Sequence, residues 1–232
     1  TGQDEAVAKW LAAHGFHAYF WTPHLEADDK HLAPSMEAME NELLQLLAWV
    51  KRCENGVSPI AVAHGLNALI ALGCAYRNPR FCQCLLLSSP PIMLKGSLSR
   101  LQRAVVSFVS EAVPKLLLPS WILPSFLRAE LRTITRTHRQ KIDARLLHDL
   151  LFSLAQAKKV FSRLSIPCLV GYGVDDPYFR FDIVKRLKTK RQESSKLETI
   201  CLDGVGGLLA MLAQPQTLAW LSSFKSAVQQ SA

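Results

Sequence analysis

Three short stretches of the chain carry residues able to transfer protons or to attack an electrophile. His64 follows one apolar stretch, Ser88 and Ser89 follow a second, and Asp175 and Asp176 follow a third. A serine hydroxyl becomes a good nucleophile when a histidine accepts its proton and a carboxylate orients that histidine. The residue types for ester cleavage are therefore present, although serines and aspartates after a strand are also typical of turns.

Each of these stretches follows a predicted strand, and strands alternate with helices along the chain. Short continuous apolar runs are typical of strands that are buried on both faces of a parallel sheet. The predicted strands are His17–Trp21, Pro59–Ala63, Gln83–Leu87, Cys168–Gly171 and Leu197–Leu202. The predicted helices are Gln3–His14, Ser35–Arg52 (capped by Ser35), Leu66–Tyr76, Ile142–Phe161, Phe181–Thr189 and Pro215–Gln229. This order predicts an α/β protein with a doubly wound, mostly parallel sheet and helices on both faces.

Composition and charge divide the chain into three parts. Its 232 residues are 49% apolar and 20% charged, which excludes a disordered or fibrous protein. Residues 1–94 and 164–232 are predicted to form the two parts of one α/β core, with net charges of −3 and +2. Residues 95–163 carry a net charge of +9 and are predicted to form an all-helical lid inserted into that core. This charge would attract lipid headgroups, nucleic-acid phosphates or an acidic protein face, unless it is only a solvated surface.

Three motifs along the chain resemble those of the α/β-hydrolase superfamily. They are AHGLNA at Ala63–Ala68, GYGVDDPY at Gly171–Tyr178 and LDGVGGLL at Leu202–Leu209. The inserted segment, with KIDARLLHDLL at Lys141–Leu151, resembles the lid of the monoacylglycerol lipase and lysophospholipase branch. The resemblance covers nearly the whole chain. It implies a nucleophile at a strand-to-helix turn, an acid after the next-to-last strand and a histidine base after the last strand.

Two of the three catalytic positions implied by this resemblance carry no side chain. Gly65 stands in the place of the nucleophile, Asp176 matches the acid, and Gly207 stands in the place of the histidine. None of the seven histidines follows Asp176, so no late histidine can act as the base. Loss of such groups typically lowers the rate by about 10⁴ to 10⁶. We therefore expect a catalytically inactive pseudoenzyme that serves as a structural or binding subunit of a larger assembly, without a metal or a cofactor.

One alternative keeps ester cleavage. A hydrolase of the monoacylglycerol lipase type would need displaced catalytic groups, and Ser88, Ser89 and the Asp175–Asp176 pair are the candidates, while Asp176 can equally bond turn amides. His64 lies one residue before the turn, where a packed histidine is the more ordinary interpretation. An imidazole within bonding distance of a hydroxyl or thiol beside Gly65 would argue against an inert site.

A second alternative is an acyl-ligand binder without turnover. The two glycines would leave extra space in the pocket once occupied by catalytic side chains. His64, Leu66 and Trp121 are the candidate ligand-binding residues. A bound acyl chain would then occupy the site without being cleaved.

The beginning of the chain and its lid both indicate partners. The first predicted helix matches the helix that follows the oxyanion loop in the family, so up to three strands, one of them central, are expected either upstream or from another chain. The lid's apolar run Leu116–Leu127 is flanked by basic residues, which suits an anionic lipid surface or another protein. We expect other protein subunits as partners, one of which is a candidate for completing the sheet, and nucleic-acid contact stays open.

Cysteine usage bears on the compartment. Most of the six cysteines lie in or beside apolar runs, and their spacing is not that of a zinc site. This predicts small buried thiols in a reducing compartment. The sequence contains neither a membrane-spanning apolar run nor a secretory leader before Thr1. We therefore expect an intracellular protein, in the cytoplasm or in an organelle matrix such as that of the mitochondrion.

Overall fold

The computed structural model describes residues 2–21, 35–91, 117–119, 141–176, 197–204 and 207–229. Its strands, in chain order, are β1 (Ile60–His64), β2 (Cys84–Ser88), β3 (Leu117–Pro119), β4 (Lys141–Asp143), β5 (Cys168–Gly173) and β6 (Leu197–Leu202). Four of them form a parallel sheet in the order β1-β2-β5-β6, and β3 pairs with β4 in an antiparallel ribbon. The parallel sheet confirms the predicted α/β class.

Six α-helices connect or flank these strands in the described residues. They are α1 (Gly2–Ala13), α2 (Met36–Cys53), α3 (Asn67–Arg77), α4 (Ala144–Ser162), α5 (Leu208–Leu212) and α6 (Pro215–Gln229), with a 3₁₀ turn at Pro79–Phe81. The Ser35 hydroxyl oxygen accepts a hydrogen bond from the Ala38 amide at 3.1 Å, which confirms the predicted cap of α2. None of the described helices is both long and apolar enough to cross a bilayer.

Side chains along β2 alternate between two apolar clusters, one on each face of the sheet. Leu85 and Leu87 belong to the cluster that contains residues of α2, α3 and α4. Cys84 and Leu86 belong to the cluster that contains residues of α1, α5 and α6. Because successive strand residues point to opposite faces, this alternation places helices on both sides of the sheet, as predicted.

Two glycines allow elements to approach closely within these clusters. Gly73 of α3 lies against the side chain of Glu40 on α2, and that carboxylate is ion-paired with Arg77. Gly171 of β5 lies against Met211 of α5, which is fully buried. In both places a side chain fills the space that a Cβ atom would need.

Two sequence predictions about secondary structure are wrong, and one short helix was missed. His17–Trp21 is irregular rather than a buried strand, and Tyr19 and Phe20 are 42% and 49% exposed, because no described strand lies beside it to accept its hydrogen bonds. The lid is not all-helical, since β3 pairs with β4; a three-residue strand that ends in a proline gives too short a pattern to recognise. Helix α5 was not predicted because it contains only five residues.

The remaining predictions about organisation have mixed outcomes. Four cysteines are buried as expected, whereas Cys53 and Cys201 are exposed, and all six are free. Cys201 lies in β6, the last strand of the described parallel sheet, and its side chain faces solvent. The predicted helix Phe181–Thr189 and, apart from β3, the apolar run Leu116–Leu127 lie outside the described residues. The boundaries of the core and the lid stay predictions.

Candidate functional site

The chain turns from β1 into α3 at Gly65, the position that the resemblance assigns to the nucleophile. Gly65 is buried and has a φ of +56°, in the left-handed region that disfavours residues with a side chain. Its amide donates a hydrogen bond to the Ser88 carbonyl oxygen at 3.0 Å, and its carbonyl oxygen accepts one from the Ala68 amide at 3.1 Å. The main chain therefore holds this turn, and Gly65 offers no group that could attack a carbonyl.

A histidine and a serine meet directly beside this turn. His64 and Ser88 are the last residues of β1 and β2 and are register partners. The distance between His64 Nδ1 and Ser88 Oγ is 3.2 Å, which is within hydrogen-bonding reach. His64 is therefore not only a packed side chain. It lies within bonding distance of a hydroxyl beside Gly65, which is the observation named above as arguing against an inert site.

Access and orientation set limits on what this pair can do. The Ser88 side chain is fully buried, whereas a nucleophile must come within about 3 Å of the carbonyl carbon it attacks. In the described part of the chain no carboxylate bonds to the other ring nitrogen of His64, Nε2. Among the described residues the pair therefore has no third component to hold a catalytic histidine in the required tautomer. Ser89, the next residue, is also buried and has a φ of +47°.

Asp176, the residue that matches the catalytic acid, lies in the turn that follows β5. Its amide donates to the Gly173 carbonyl oxygen at 3.1 Å, and the amide of Asp175 donates to the Gly204 carbonyl oxygen at 3.2 Å. These bonds tie the turn after β5 to the end of β6. Asp176 is buried and Asp175 is exposed, so the two carboxylates do not share an environment and do not form an acid pair.

Gly207, the residue in the place of the catalytic histidine, immediately precedes α5. Its backbone is extended, with a φ of −125° and a ψ of 154°, a conformation open to any residue. A Cβ atom built at this position would meet no atom of the described residues within 4 Å. Geometry therefore permits a side chain at position 207, and the sequence places none there.

The predicted ligand-binding residues have different locations. His64 is half-buried at the carboxyl end of β1, beside the turn. Leu66 is only 1% exposed and belongs to the apolar cluster of α2, α3 and α4. Trp121 lies outside the described residues. A role for these side chains in ligand binding stays a prediction.

Three buried thiols cannot replace the missing nucleophile. Burial raises the pKa of Cys74 and of Cys82 to about 12, and it raises the pKa of Cys84 further. A thiol with so high a pKa is protonated at neutral pH and is a poor nucleophile. Within the described residues there is also no group of three histidine, cysteine or carboxylate side chains arranged to hold a metal ion.

A separate groove lies between α2, α3 and α4, with a volume of about 640 Å³. Tyr76, Arg77, Arg145 and Phe152 are among its lining residues, and Gly65, His64 and Ser88 are not. The groove is therefore distinct from the carboxyl ends of the strands.

Sequence reasoning named His64 and Ser88 separately but did not predict that they touch. The signal lies in the strand ends: both residues close neighbouring parallel strands, and side chains at matched positions face the same side of the sheet. The missing information was the register, which becomes visible only in three dimensions.

Solved structures with a similar arrangement of strands and helices include lipases. The monoacylglycerol lipase of Paleococcus ferrophilus is 19% identical, with a TM-score of 0.68 over 97% of this chain and 90% of that one. A lipase in its open form is 16% identical, with a TM-score of 0.71 over 98% and 86%. A soluble variant of the Saccharomyces cerevisiae monoglyceride lipase is 14% identical, with a TM-score of 0.55 over 85% and 70%. At these identities the similarity establishes the fold.

The family is established by a match of sequence. The model of the serine aminopeptidase (S33) family matches residues 1–205, which is most of the chain. No curated protein matches the sequence. The order of strands, the strand-to-helix turn at Gly65 and the acid at Asp176 agree with this match. The chain belongs to the serine aminopeptidase (S33) family of α/β-hydrolases.

Proposed function

We propose that this chain is a non-catalytic member of its family that acts as a structural or binding subunit of a larger protein assembly. The observation that carries the proposal is Gly65, because the turn that should present the nucleophile has its left-handed conformation but no side chain. Gly207 adds to it, because the position of the base also lacks a side chain although no described atom lies within 4 Å of where its Cβ would be. A hydroxyl or thiolate without a base, or a base without a nucleophile, forms no covalent intermediate.

A fluorophosphonate probe tests the proposal directly. Such probes phosphonylate a serine only when it is activated as a nucleophile, so we expect no labelling of the native chain under conditions that fully label a monoacylglycerol lipase. Hydrolysis of p-nitrophenyl butyrate and of a monoacylglycerol should stay at the rate of the buffer. Stoichiometric labelling that disappears on denaturation would contradict the proposal.

A second candidate function is ester hydrolysis by Ser88 and His64, and the 3.2 Å contact between them favours it. With the His64 proton on Nε2, Nδ1 would accept the Ser88 proton while Oγ forms a bond to the ester carbonyl carbon. The tetrahedral intermediate would collapse by breaking the bond to the alkoxy group, which takes the proton from Nδ1 and leaves as the alcohol. Water activated by Nδ1 would then cleave the acyl-serine and return Ser88 to its free form.

Single substitutions separate the two candidates. If Ser88 is the nucleophile, Ser88→Ala abolishes both probe labelling and ester turnover, and His64→Gln lowers them by about 10³ or more. Ser89→Ala is the matched control, because it removes a neighbouring buried hydroxyl that does not contact His64. Turnover that survives Ser88→Ala would belong to a contaminant or to another residue.

The compartment and the wider partners extend the same proposal. We place the protein inside the cell, in a reducing compartment such as the cytoplasm or the mitochondrial matrix, because its six cysteines are free. Its main partners would be protein subunits, and the basic lid is the surface proposed for anionic lipid or nucleic acid. Co-purification of the native protein, followed by measurement of the mass of the complex, tests this: a lone monomer would contradict a subunit role.

A further inference from the structure

The groove between α2, α3 and α4 has the dimensions of a small-molecule pocket. Its volume of about 640 Å³ lies within the range of about 300 to 1,000 Å³ that is usual for such pockets. Its lining includes four buried apolar residues, Met36, Leu69, Leu72 and Ala157. The groove therefore offers an apolar floor of a size that suits a small organic molecule.

A mostly buried carboxylate also lines this groove. Glu40 of α2 is only 9% exposed, and its carboxylate lies against Gly73 of α3, which lines the groove as well. Glycine weakens the interior of a helix, so its presence in α3 calls for a steric reason. A side chain at position 73 would occupy the space of the carboxylate. The close packing of the two helices thus depends on a charged group at the groove.

The Glu40 carboxylate can accept more hydrogen bonds than the protein gives it. Oε2 accepts one from the Arg77 guanidinium, and among the described residues no donor bonds to Oε1. An ionised carboxylate can accept about four hydrogen bonds, and a buried charge is stabilised by the bonds that it makes. Oε1 is therefore an acceptor for a donor that enters the groove.

Two exposed aromatic rings line the same groove. Tyr76 of α3 is 44% exposed, and Phe152 of α4 is 59% exposed. Aromatic rings attract ammonium groups that lie over their faces. Aromatic rings together with a carboxylate are the combination of groups that recognises an organic cation.

The distribution of charge in the groove favours a cation over an anion. Three acidic and three basic side chains line it, namely Glu37, Glu40, Asp149, Arg77, Arg145 and Lys159. Glu40 is the buried member of this set, and water and salt screen the exposed ones more strongly. Arg77 already donates to Glu40 and to Asn41. An anionic ligand would have to compete with Glu40 for Arg77, whereas an ammonium group would bond to the oxygen that Arg77 leaves open.

We propose that this groove binds a small organic amine. Its ammonium group donates to the Glu40 carboxylate, and its alkyl or aryl body covers the apolar floor between Tyr76 and Phe152. This site goes beyond the role of the chain as a subunit. It is also independent of catalysis, because neither His64 nor Ser88 lines the groove.

Three ligands of matched shape test the sign of the charge. Phenylbutylamine, phenylbutanol and phenylbutyrate are titrated at neutral pH into the nitrogen-15-labelled native chain, and the amide shifts of Gly73 and Tyr76 are followed by NMR. We expect the amine to bind with a Kd of about 1 mM, and the alcohol and the carboxylate to bind at least about tenfold more weakly. Equal affinities would mean an apolar groove without charge recognition, and tighter binding of phenylbutyrate would mean an anion site. Either result, or no binding of the amine, overturns the proposal.

Glu40→Gln tests the carboxylate, because it removes the charge and nearly preserves the shape of the side chain. It should weaken binding of phenylbutylamine about tenfold or more, and phenylbutanol should bind within about twofold of its affinity for the native chain. Glu5→Gln is the matched control, since it removes one negative charge from the exposed face of α1, on the other side of the sheet. An equal loss for the amine and the alcohol in Glu40→Gln would indicate a structural change only and would contradict the proposal.

Phe152→Leu tests the aromatic ring at an exposed position, where the substitution should leave the fold intact. It keeps an apolar side chain and removes the ring face, so the amine should bind about two- to fivefold more weakly while the alcohol changes less than about twofold. An unchanged affinity for the amine would overturn the assignment of this ring. If Glu40→Gln does not fold, the comparison of the three ligands on the native chain still decides the question. Ester turnover that depends on Ser88 would refute the absence of catalysis and leave the amine site standing.

Discussion

Glycines in two regions of this molecule meet opposite surroundings. Inside the core, a Cβ atom added at Gly73 would lie 2.6 Å from Glu40 Cδ, and one added at Gly171 would lie 2.7 Å from Met211 Cγ. At Gly207, beside the carboxyl ends of the strands, the backbone is extended and an added Cβ atom would meet no described atom within 4 Å. Packing therefore requires glycine in the core, whereas no described neighbour excludes a side chain at Gly207; at Gly65 the constraint is the left-handed φ.

This comparison indicates that close packing limits the amino acids at core positions, whereas it does not limit them at position 207. Closely packed interiors respond to a change of one methyl group. A surface turn whose side chains contact no neighbouring residues tolerates many amino acids, so its sequence reflects function more than packing. Substitutions in the two regions should consequently differ in their effects, and the following predictions start with the largest.

Gly171→Ala should give the largest loss of stability. Its Cβ would overlap Met211, which is fully buried and cannot move into solvent, so we expect a loss of about 2 to 3 kcal/mol of unfolding free energy. Urea denaturation measures the change, with Gly207→Ala as the matched control at less than about 0.5 kcal/mol. Equal losses for both variants would remove the distinction between the regions.

Gly73→Ala should cost less, about 1 to 2 kcal/mol, because the overlapping Glu40 carboxylate can shift at the expense of its ion pair with the half-exposed Arg77. Arg77→Ala breaks the same pair from the other side. A double-mutant cycle should therefore show that the two losses are not additive. Full additivity would mean that Glu40 does not link the two positions.

Gly65→Ala should lower the unfolding free energy by about 1 kcal/mol, because an alanine in the left-handed conformation is strained. Gly207→His should be close to neutral, because its backbone is extended and the space is open. Thermal unfolding of the two variants checks this order. A larger loss of unfolding free energy for Gly207→His than for Gly65→Ala would contradict the conclusion that position 207 tolerates a side chain better than position 65.

The buried thiols predict a loss of stability at alkaline pH. Burial raises the pKa of Cys74 and Cys82 from 9.0 to about 12, so the folded protein retains protons that the unfolded chain releases. The stabilisation is complete below pH 9 and is lost as the pH rises from 9 towards 12. Cys74→Ala/Cys82→Ala should flatten that part of the stability curve. At neutral pH, alkylation should modify Cys53 and Cys201 first.

The sequence predicts an element of the fold best where the residues of that element alone determine its structure. Cys168–Gly171 and Leu197–Leu202 were predicted as strands because continuous apolar runs identify strands that are covered on both faces. His17–Trp21 has the same kind of composition, yet it is irregular. A strand also needs a neighbouring strand to pair with, and the residue pattern of one segment does not show whether such a neighbour is present. For the same reason, the short antiparallel ribbon at Leu117–Pro119 was missed.

The candidate site was predictable in its residues but not in its contacts. The glycines at positions 65 and 207 follow from motif order, and the structure gives their backbone conformations. The contact between His64 and Ser88 depends on the register of two strands that are 24 positions apart in sequence, and nothing in either local pattern encodes that register. Burial of Ser88 depends in the same way on the whole assembly of elements.

The turn at Gly65 is held by main-chain hydrogen bonds to Ser88 and Ala68. These two bonds do not depend on which amino acid occupies position 65, although the left-handed φ disfavours residues with a side chain. Mutation at this position can consequently change the chemical groups that the turn presents while both bonds stay in place.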